Sequence, residues 1–265
     1  MTLPPTLAAR LAASDRPLAG MWVCSGSAMN AEIAAGSGLD VVLIDAEHSP
    51  NGPESILAQL HAVAAYPVAP LVRPPFGDTV VIKQYLDLGV QNLLVPMVDS
   101  PEQAAELVRA VRYPPEGVRG VGSSLARSAR WNRVPGYLAA AATTVSLFVQ
   151  VESQAAMERV AEIAAVDGVD GILVGPADLA ASMGLLGQQD HPEVVDAVLR
   201  AIGVGVELGV PVGVNAFAPD AAQRYFDAGA AFVLVGADVQ LLARASEALA
   251  DRFIGDGGAA VSSEY

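Results

Sequence analysis

Short apolar runs recur along the chain, each closed by a polar residue and followed by a stretch with helical spacing. They cover residues 18–25 (LAGMWVCS), 40–48 (DVVLIDAEH), 68–74 (VAPLVRP), 91–97 (QNLLVPM), 145–152 (VSLFVQVE), 170–176 (DGILVGP), 210–216 (VPVGVNA) and 231–238 (AFVLVGAD). These eight runs are rich in Val, Ile and Leu and do not alternate with polar residues, the pattern of parallel strands buried on both faces. The segments between them predict helices over 31–38, 54–66, 80–89, 101–112, 154–165, 192–209, 219–229 and 238–253. Several end in Gly, and Pro101 and Pro192 suit first helical turns. Eight strand–helix units argue for a closed (β/α)8 barrel, a TIM barrel. An open doubly wound sheet is the alternative, but it wants a Gly-rich phosphate turn after its first strand, and MWVCSGSAMN matches that poorly.

The length of 265 residues suits one such barrel, with residues 1–17 as a lead-in and about 254–265, small and polar, as a disordered tail. Residues 113–144 form a long connection after the fourth strand; with its border it carries Arg112, Arg119, Arg127, Arg130 and Arg133, five of the chain's basic residues. A connection this long is expected to serve a function or an interface.

Hydrophobic residues make up 52% and charged residues 17%, enough to bury a large core. The net charge of −14 argues against a nucleic-acid partner. It leaves the sign of a small substrate open. The single Cys24 allows no intrachain disulfide and is expected to be a buried, inert thiol. No apolar stretch has the form of a signal peptide or a bilayer span, so the expected location is cytoplasmic.

In a parallel barrel the active site forms where the strands end. At those ends stand Asp45, Glu47 and His48; Arg73; Gln150 and Glu152; Gly175, Ala177 and Asp178; Asn215; and Asp238. Any one carboxylate could be a helix cap. Together they suggest a site. Glu152 and Asp178, from adjacent strands, make a hard oxygen pair suited to Mg²⁺ or Mn²⁺, with positions left for a chelating 2-oxo acid. The GPAD turn (175–178) reads equally as an anion site built from backbone N–H groups or as a plain strand–helix turn. Asp45, three residues before His48, is expected to pair with its imidazole and raise its basicity. A guanidinium at Arg73 suits an enolate oxygen. The only lysine, Lys83, falls within a helix, so imine chemistry is disfavoured.

The strings EHSPN, VRPP, RYPPEGVRGVG, ARWNR, VQVES and GPADL, spread over about residues 18–252, resemble the HpcH/HpaI aldolase family. The resemblance implies a class II pyruvate aldolase that reversibly cleaves 4-hydroxy-2-oxo acids, such as 4-hydroxy-2-oxoheptanedioate, to pyruvate and an aldehyde such as succinic semialdehyde. It implies Mg²⁺, Mn²⁺ or Co²⁺ on Glu152 and Asp178 and no organic cofactor. Arg73 would stabilise the enolate, and His48 with Asp45 would serve base catalysis. Trp22 would line the pocket, and the Arg-rich loop would help place the aldehyde; Gln150, Gly175, Ala177 and Asn215, from their places at the strand ends, are the further expected substrate contacts. It further implies a homohexamer, a trimer of dimers, whose neighbouring chains complete each site. Asn215 departs from the apolar residue usual there and suggests a hydroxylated aldehyde. A sugar-acid aldolase or an oxaloacetate decarboxylase using the same residues is the alternative.

Overall fold

The computed structural model describes residues 1–254. Eight parallel strands close in chain order: β1 (Leu18–Val23), β2 (Val41–Asp45), β3 (Ala69–Arg73), β4 (Asn92–Val95), β5 (Ser146–Val151), β6 (Gly171–Val174), β7 (Val212–Asn215) and β8 (Phe232–Ala237). Each lies within one of the eight apolar runs. The helices are α1 (Leu7–Ala13), α2 (Ala28–Ala35), α3 (Pro53–Ala62), α4 (Thr79–Asp87), α5 (Pro101–Val111), α6 (Tyr137–Ala140), α7 (Gln154–Glu158), α8 (Val160–Ala164), α9 (Pro176–Ser182), α10 (Pro192–Leu208), α11 (Pro219–Asp227) and α12 (Asp238–Ile254).

Five helices depart from the spacing read in the sequence. The helix expected over 154–165 breaks at Arg159, whose backbone leaves the helical region at φ −115°, ψ 15°. Short α6 and α9 carry too few turns to show a periodicity. The lead-in forms α1, tied to the barrel where its strands begin: Leu7 is fully buried, and its N–H donates to Asn92 Oδ1 at 2.6 Å. The tail expected at about 254–265 lies, from residue 255 onward, outside the described residues.

The long connection 113–144 leaves the C-terminal end of α5 and enters β5. It therefore lies at the end of the barrel where strands begin, opposite the rim where they end. The expectation that its arginines serve the catalytic rim is not met within one chain, because helix-to-strand connections return to the far end.

Side chains alternate along each strand, so residues two apart share a face. Leu43, Leu71, Phe148 and Leu173 form the inner core with Phe232 and Leu234. Phe148 and Phe232 meet edge to face with centroids 5.8 Å apart. Phe232 fills the barrel so fully that a Cβ on Gly213 would sit 2.2 Å from its ring. Two positions further along the same strands come Asp45, Arg73, Gln150 and Gly175. The packing that buries the inner core thus aims this polar set into the mouth of the barrel.

Helix α12 is the exception to the packing. None of its residues is buried, and Val239, Leu241, Leu242, Leu249, Phe253 and Ile254 are exposed. Among the described residues no helix is long and apolar enough to cross a membrane.

Candidate active site

Arg73 is the centre of the rim. Its side chain is only 7% exposed. Nε donates to Asp45 Oδ1 at 2.7 Å, Nη1 lies 2.7 Å from Glu47 Oε2, and the guanidinium stacks over Trp22 with its carbon 4.3 Å from the ring centroid. Nη2 makes no hydrogen bond among the described residues. The sequence placed Glu47 at this strand end but gave it no role. Its contact with Arg73 forms just beyond β2, where the chain turns beneath the Asp45 carboxylate.

Asp45 does not serve His48 as expected. Its carboxylate accepts the backbone N–H of Glu47 at 3.1 Å, that of His48 at 3.2 Å, the Ser49 hydroxyl at 3.0 Å and Arg73. Aspartate at a strand end bonds local backbone N–H groups in this way, which here uses up its oxygens. Burial pushes the Asp45 carboxyl up, but Arg73 and these donors outweigh it and hold the group below the ordinary range. The exposed His48 imidazole instead has Glu47 beside it, Nε2 to Oε1 at 3.8 Å. Burial raises the Glu47 carboxyl, with Asp45 and Asp178 adding to the effect and Arg73 and His48 opposing it.

Glu152 is buried. Oε1 accepts the N–H of Met97 at 2.8 Å, and Oε2 accepts from Gln150 Nε2 in a short contact. Met97 holds a left-handed φ of 58° to present that N–H. Burial lifts the Glu152 carboxyl above its ordinary range, and the charges of Asp178 and Glu47 lift it further against Gln150 and Met97. Asp178, in the first turn of α9, is exposed. The two predicted ligands thus face a shared electrostatic environment.

Gly175 does not offer its N–H to the site as the GPAD reading expected, because that group donates to Val151 O at 3.3 Å. Its role is steric: a Cβ there would lie 2.9 Å from Glu152 Oε2 and 3.4 Å from Gln150 Nε2. Ala177 follows Pro176 in the opening turn of α9, where the first N–H groups have no intrahelical partner. At the far side of the mouth, Trp22 Nε1 donates to Asn215 Oδ1 at 2.7 Å. An indole N–H only donates, so this bond fixes the amide's orientation and leaves Asn215 Nδ2 as a donor. Asp238 accepts from Cys24 N at 2.7 Å and from the Ser25 hydroxyl at 2.5 Å, which ties β8 to β1. Burial pushes the Cys24 thiol up to about 11, consistent with an inert group.

A divalent cation fits the donor set. Glu47, Glu152 and Asp178 repel one another, and the buried Gln150 Oε1 has no hydrogen-bond partner. Among the described residues no three His, Cys, Asp or Glu side chains close into a metal cage, so the pair Glu152–Asp178 would be an open site.

Comparison with known proteins agrees with this geometry. The sequence profile of the HpcH/HpaI aldolase/citrate lyase family matches residues 18–245. A hydroxypyruvate/pyruvate aldolase from Deinococcus radiodurans is 56% identical over 241 residues, 91% of this chain and 87% of that protein. A 4-hydroxy-2-oxo-heptane-1,7-dioate aldolase from Shigella sonnei is 51% identical over 240 residues, 91% of this chain and 92% of that protein. The crystal structure of an HpcH/HpaI aldolase/citrate lyase family protein from Burkholderia cenocepacia J2315 superposes with a TM-score of 0.89 at 40% identity, covering 93% of this chain and 98% of that one. Likeness of this extent to proteins named aldolases makes the chain a carbon–carbon lyase of the aldolase type. The closed barrel, the polar rim and the sequence match together place the chain in the HpcH/HpaI aldolase/citrate lyase family.

Proposed function

We propose that this chain is a divalent-metal-dependent pyruvate aldolase, reversibly cleaving a 4-hydroxy-2-oxo acid such as 4-hydroxy-2-oxoheptanedioate to pyruvate and an aldehyde such as succinic semialdehyde. The observation that carries the reading is the clamped Arg73 guanidinium, with Nη2 uncommitted among the described residues, in a mouth that also holds the buried Glu152 and the exposed Asp178. Glu152 and Asp178 would hold Mg²⁺, Mn²⁺ or Co²⁺, which when bound supplies a Lewis acid for the 2-oxo group. Gln150 and Met97 orient Glu152 for that task. Arg73 donates from Nη2 to the oxygen that gains charge as the C3–C4 bond breaks. Fixed by Asp45, Glu47 and Trp22, it does so without reorganising. His48, with Glu47 beside it, takes the 4-hydroxyl proton directly or through a water. The N–H of Ala177 and its neighbour offers donors for the substrate carboxylate.

Two features support finer readings. Asn215 Nδ2 presents a donor beside Trp22, suited to a hydroxyl on either partner, which favours hydroxypyruvate or a hydroxylated aldehyde as a second substrate class. The uncovered apolar residues of α12 support an oligomer, and we propose the homohexamer of paired chains that the resemblance implies. Cleavage of 4-hydroxy-2-oxoheptanedioate, followed as pyruvate release with Mg²⁺ and with excess chelator, tests the reaction. Metal-dependent pyruvate release is expected. Release that persists after chelation, or oxaloacetate decarboxylation without any aldol cleavage, would overturn the reading.

A further inference from the structure

The end of the barrel where the strands begin holds a cavity of about 160 Å³ between the last turns of α3 and the starts of β3 and β4. Three arginines line it: Arg10 from α1, and Arg127 and Arg130 from the long connection. Their fixed hydrogen bonds go to neutral carbonyls. Arg127 Nη1 donates to Leu88 O at 3.0 Å, Arg130 Nη1 to Arg127 O, and Arg10 Nη1 to Pro67 O at 2.9 Å. Among the described residues none of the three has a carboxylate within 4.0 Å. Asp40, whose charge is felt by Arg10's side, is already held by Arg16 at 2.7 Å. Arg10 Nε is buried without a partner.

The head groups also converge. A Cβ on Gly89 would lie 2.7 Å from Arg127 Nη1 and 2.9 Å from Arg130 Nη1, so both nitrogens approach one point. Burial and the charge of Arg130 push the Arg127 guanidinium down to about 10. Burial likewise lowers Arg130, and the neighbouring His61 is lowered by burial and by both arginines. Like charges are gathered here in a chain with 29 acidic and 15 basic residues. The segment that delivers them runs through three successive left-handed residues, Arg130, Trp131 and Asn132, with φ of 50°, 53° and 64°. Such backbone persists where its surroundings hold it in place.

We propose that this face carries a second binding site, for a small dianionic oxyanion held by Arg10, Arg127 and Arg130. Guanidinium groups pair with phosphate and carboxylate oxygens through two parallel N–H donors, and the bond is strengthened where water is excluded. The cavity is well below the about 300 Å³ and more of drug-sized sites, which restricts it to a phosphate or a short dicarboxylate. The site lies at the opposite end of the barrel from Arg73 and does not depend on the reaction performed there.

Titration calorimetry on the full chain, with chelator present, tests this with inorganic phosphate and, separately, succinate. Saturable binding of at least one is expected, weakened about tenfold or more in Arg127→Gln and Arg130→Gln and unchanged in Arg73→Ala. Saturation by phosphate alone assigns the site to phosphoryl groups, and by succinate alone to dicarboxylates. Because removing a packed arginine could disturb folding, Ala64→Glu is the second variant. It sets a carboxylate at the cavity lip, where Ala64 is exposed, and should abolish binding while raising Tm. No saturation by either anion at millimolar concentration, binding lost in Arg73→Ala but kept in Arg127→Gln, or wild-type affinity in Ala64→Glu would overturn the site.

Discussion

The two ends of this barrel solve opposite charge problems with the same chemistry. Where the strands end, Asp45 and Glu47 hold one guanidinium, Glu152 and Asp178 add their charges to that of Glu47, and the excess is negative. Where they begin, Arg10, Arg127 and Arg130 gather, among the described residues, without a carboxylate in contact, and the excess is positive. Each excess costs free energy in the empty protein, since burial penalises an unpaired charge. The difference lies in what relieves it. The acidic rim wants a cation, and the opposite face wants an anion. At the rim Arg73 is also held from three sides, so its geometry is set before any ligand arrives; the far arginines are held only through carbonyls.

Removing the rim's own clamp should have the largest effect. Asp45→Ala leaves a buried guanidinium short of a partner, and breaking such a pair costs about 3–5 kcal/mol, with Glu47 keeping the loss toward the lower end. Urea unfolding measures this, and a loss below 1 kcal/mol would mean that the pair is not held as described. The same change among the far arginines should cost less, because their partners are neutral.

Crowding Glu152 is the next test. The Gly175 φ of −97° suits any residue, so Gly175→Ala adds only a methyl group, 2.9 Å from Oε2. Displacing the carboxylate should weaken Mg²⁺ binding about 10- to 100-fold, the range seen when a ligand loses its support, with little loss of Tm. Unchanged affinity by calorimetry would show that Glu152 is free to move.

The smallest expected effect is in pH dependence. Burial, with Asp178 and Glu47, raises the Glu152 carboxyl above its ordinary 4.5. Proton and metal then compete for it. Apparent Mg²⁺ affinity should be full above the raised value and fall about tenfold per pH unit as pH drops through it, one proton being worth about 1.4 kcal/mol per unit. The sign is that of a raised acid: without metal the folded protein loses stability as pH rises through the same window, and the cation restores it. Affinity that stays flat until pH falls below 4.5 would contradict the burial of Glu152.

Much of the fold was legible because it rests on local pattern. The eight apolar runs became the eight strands, since a short strand buried on both faces accommodates such a run. The positions of Arg73, Glu152 and Asn215 were legible for the same reason: they interrupt apolar runs at strand ends. What was not legible is partner choice. Asp45 has four donors to accept from, and sequence spacing alone favoured the imidazole of His48, whereas the backbone and Arg73 take its oxygens. Glu47 follows the same rule in reverse; its place was readable, but its contact with Arg73 depends on β3 lying beside β2. Gly175 was read for its N–H, which the turn spends on Val151, while its missing side chain matters to Glu152. The Arg-rich connection was read by length and charge, neither of which says which end of a barrel it returns to.

On the proposed reading Glu152 and Asp178 would hold the cation, and Arg73 would stabilise the enolate. Exchange of the methyl protons of pyruvate for deuterium, followed by NMR with Mg²⁺ and no aldehyde, reports enolate formation alone. Rapid exchange is predicted, abolished by chelation and by Glu152→Gln, and slowed about 10²–10³-fold in Arg73→Ala, the cost of one lost oxyanion donor. Exchange at the wild-type rate in the chelated protein or in Arg73→Ala would contradict it.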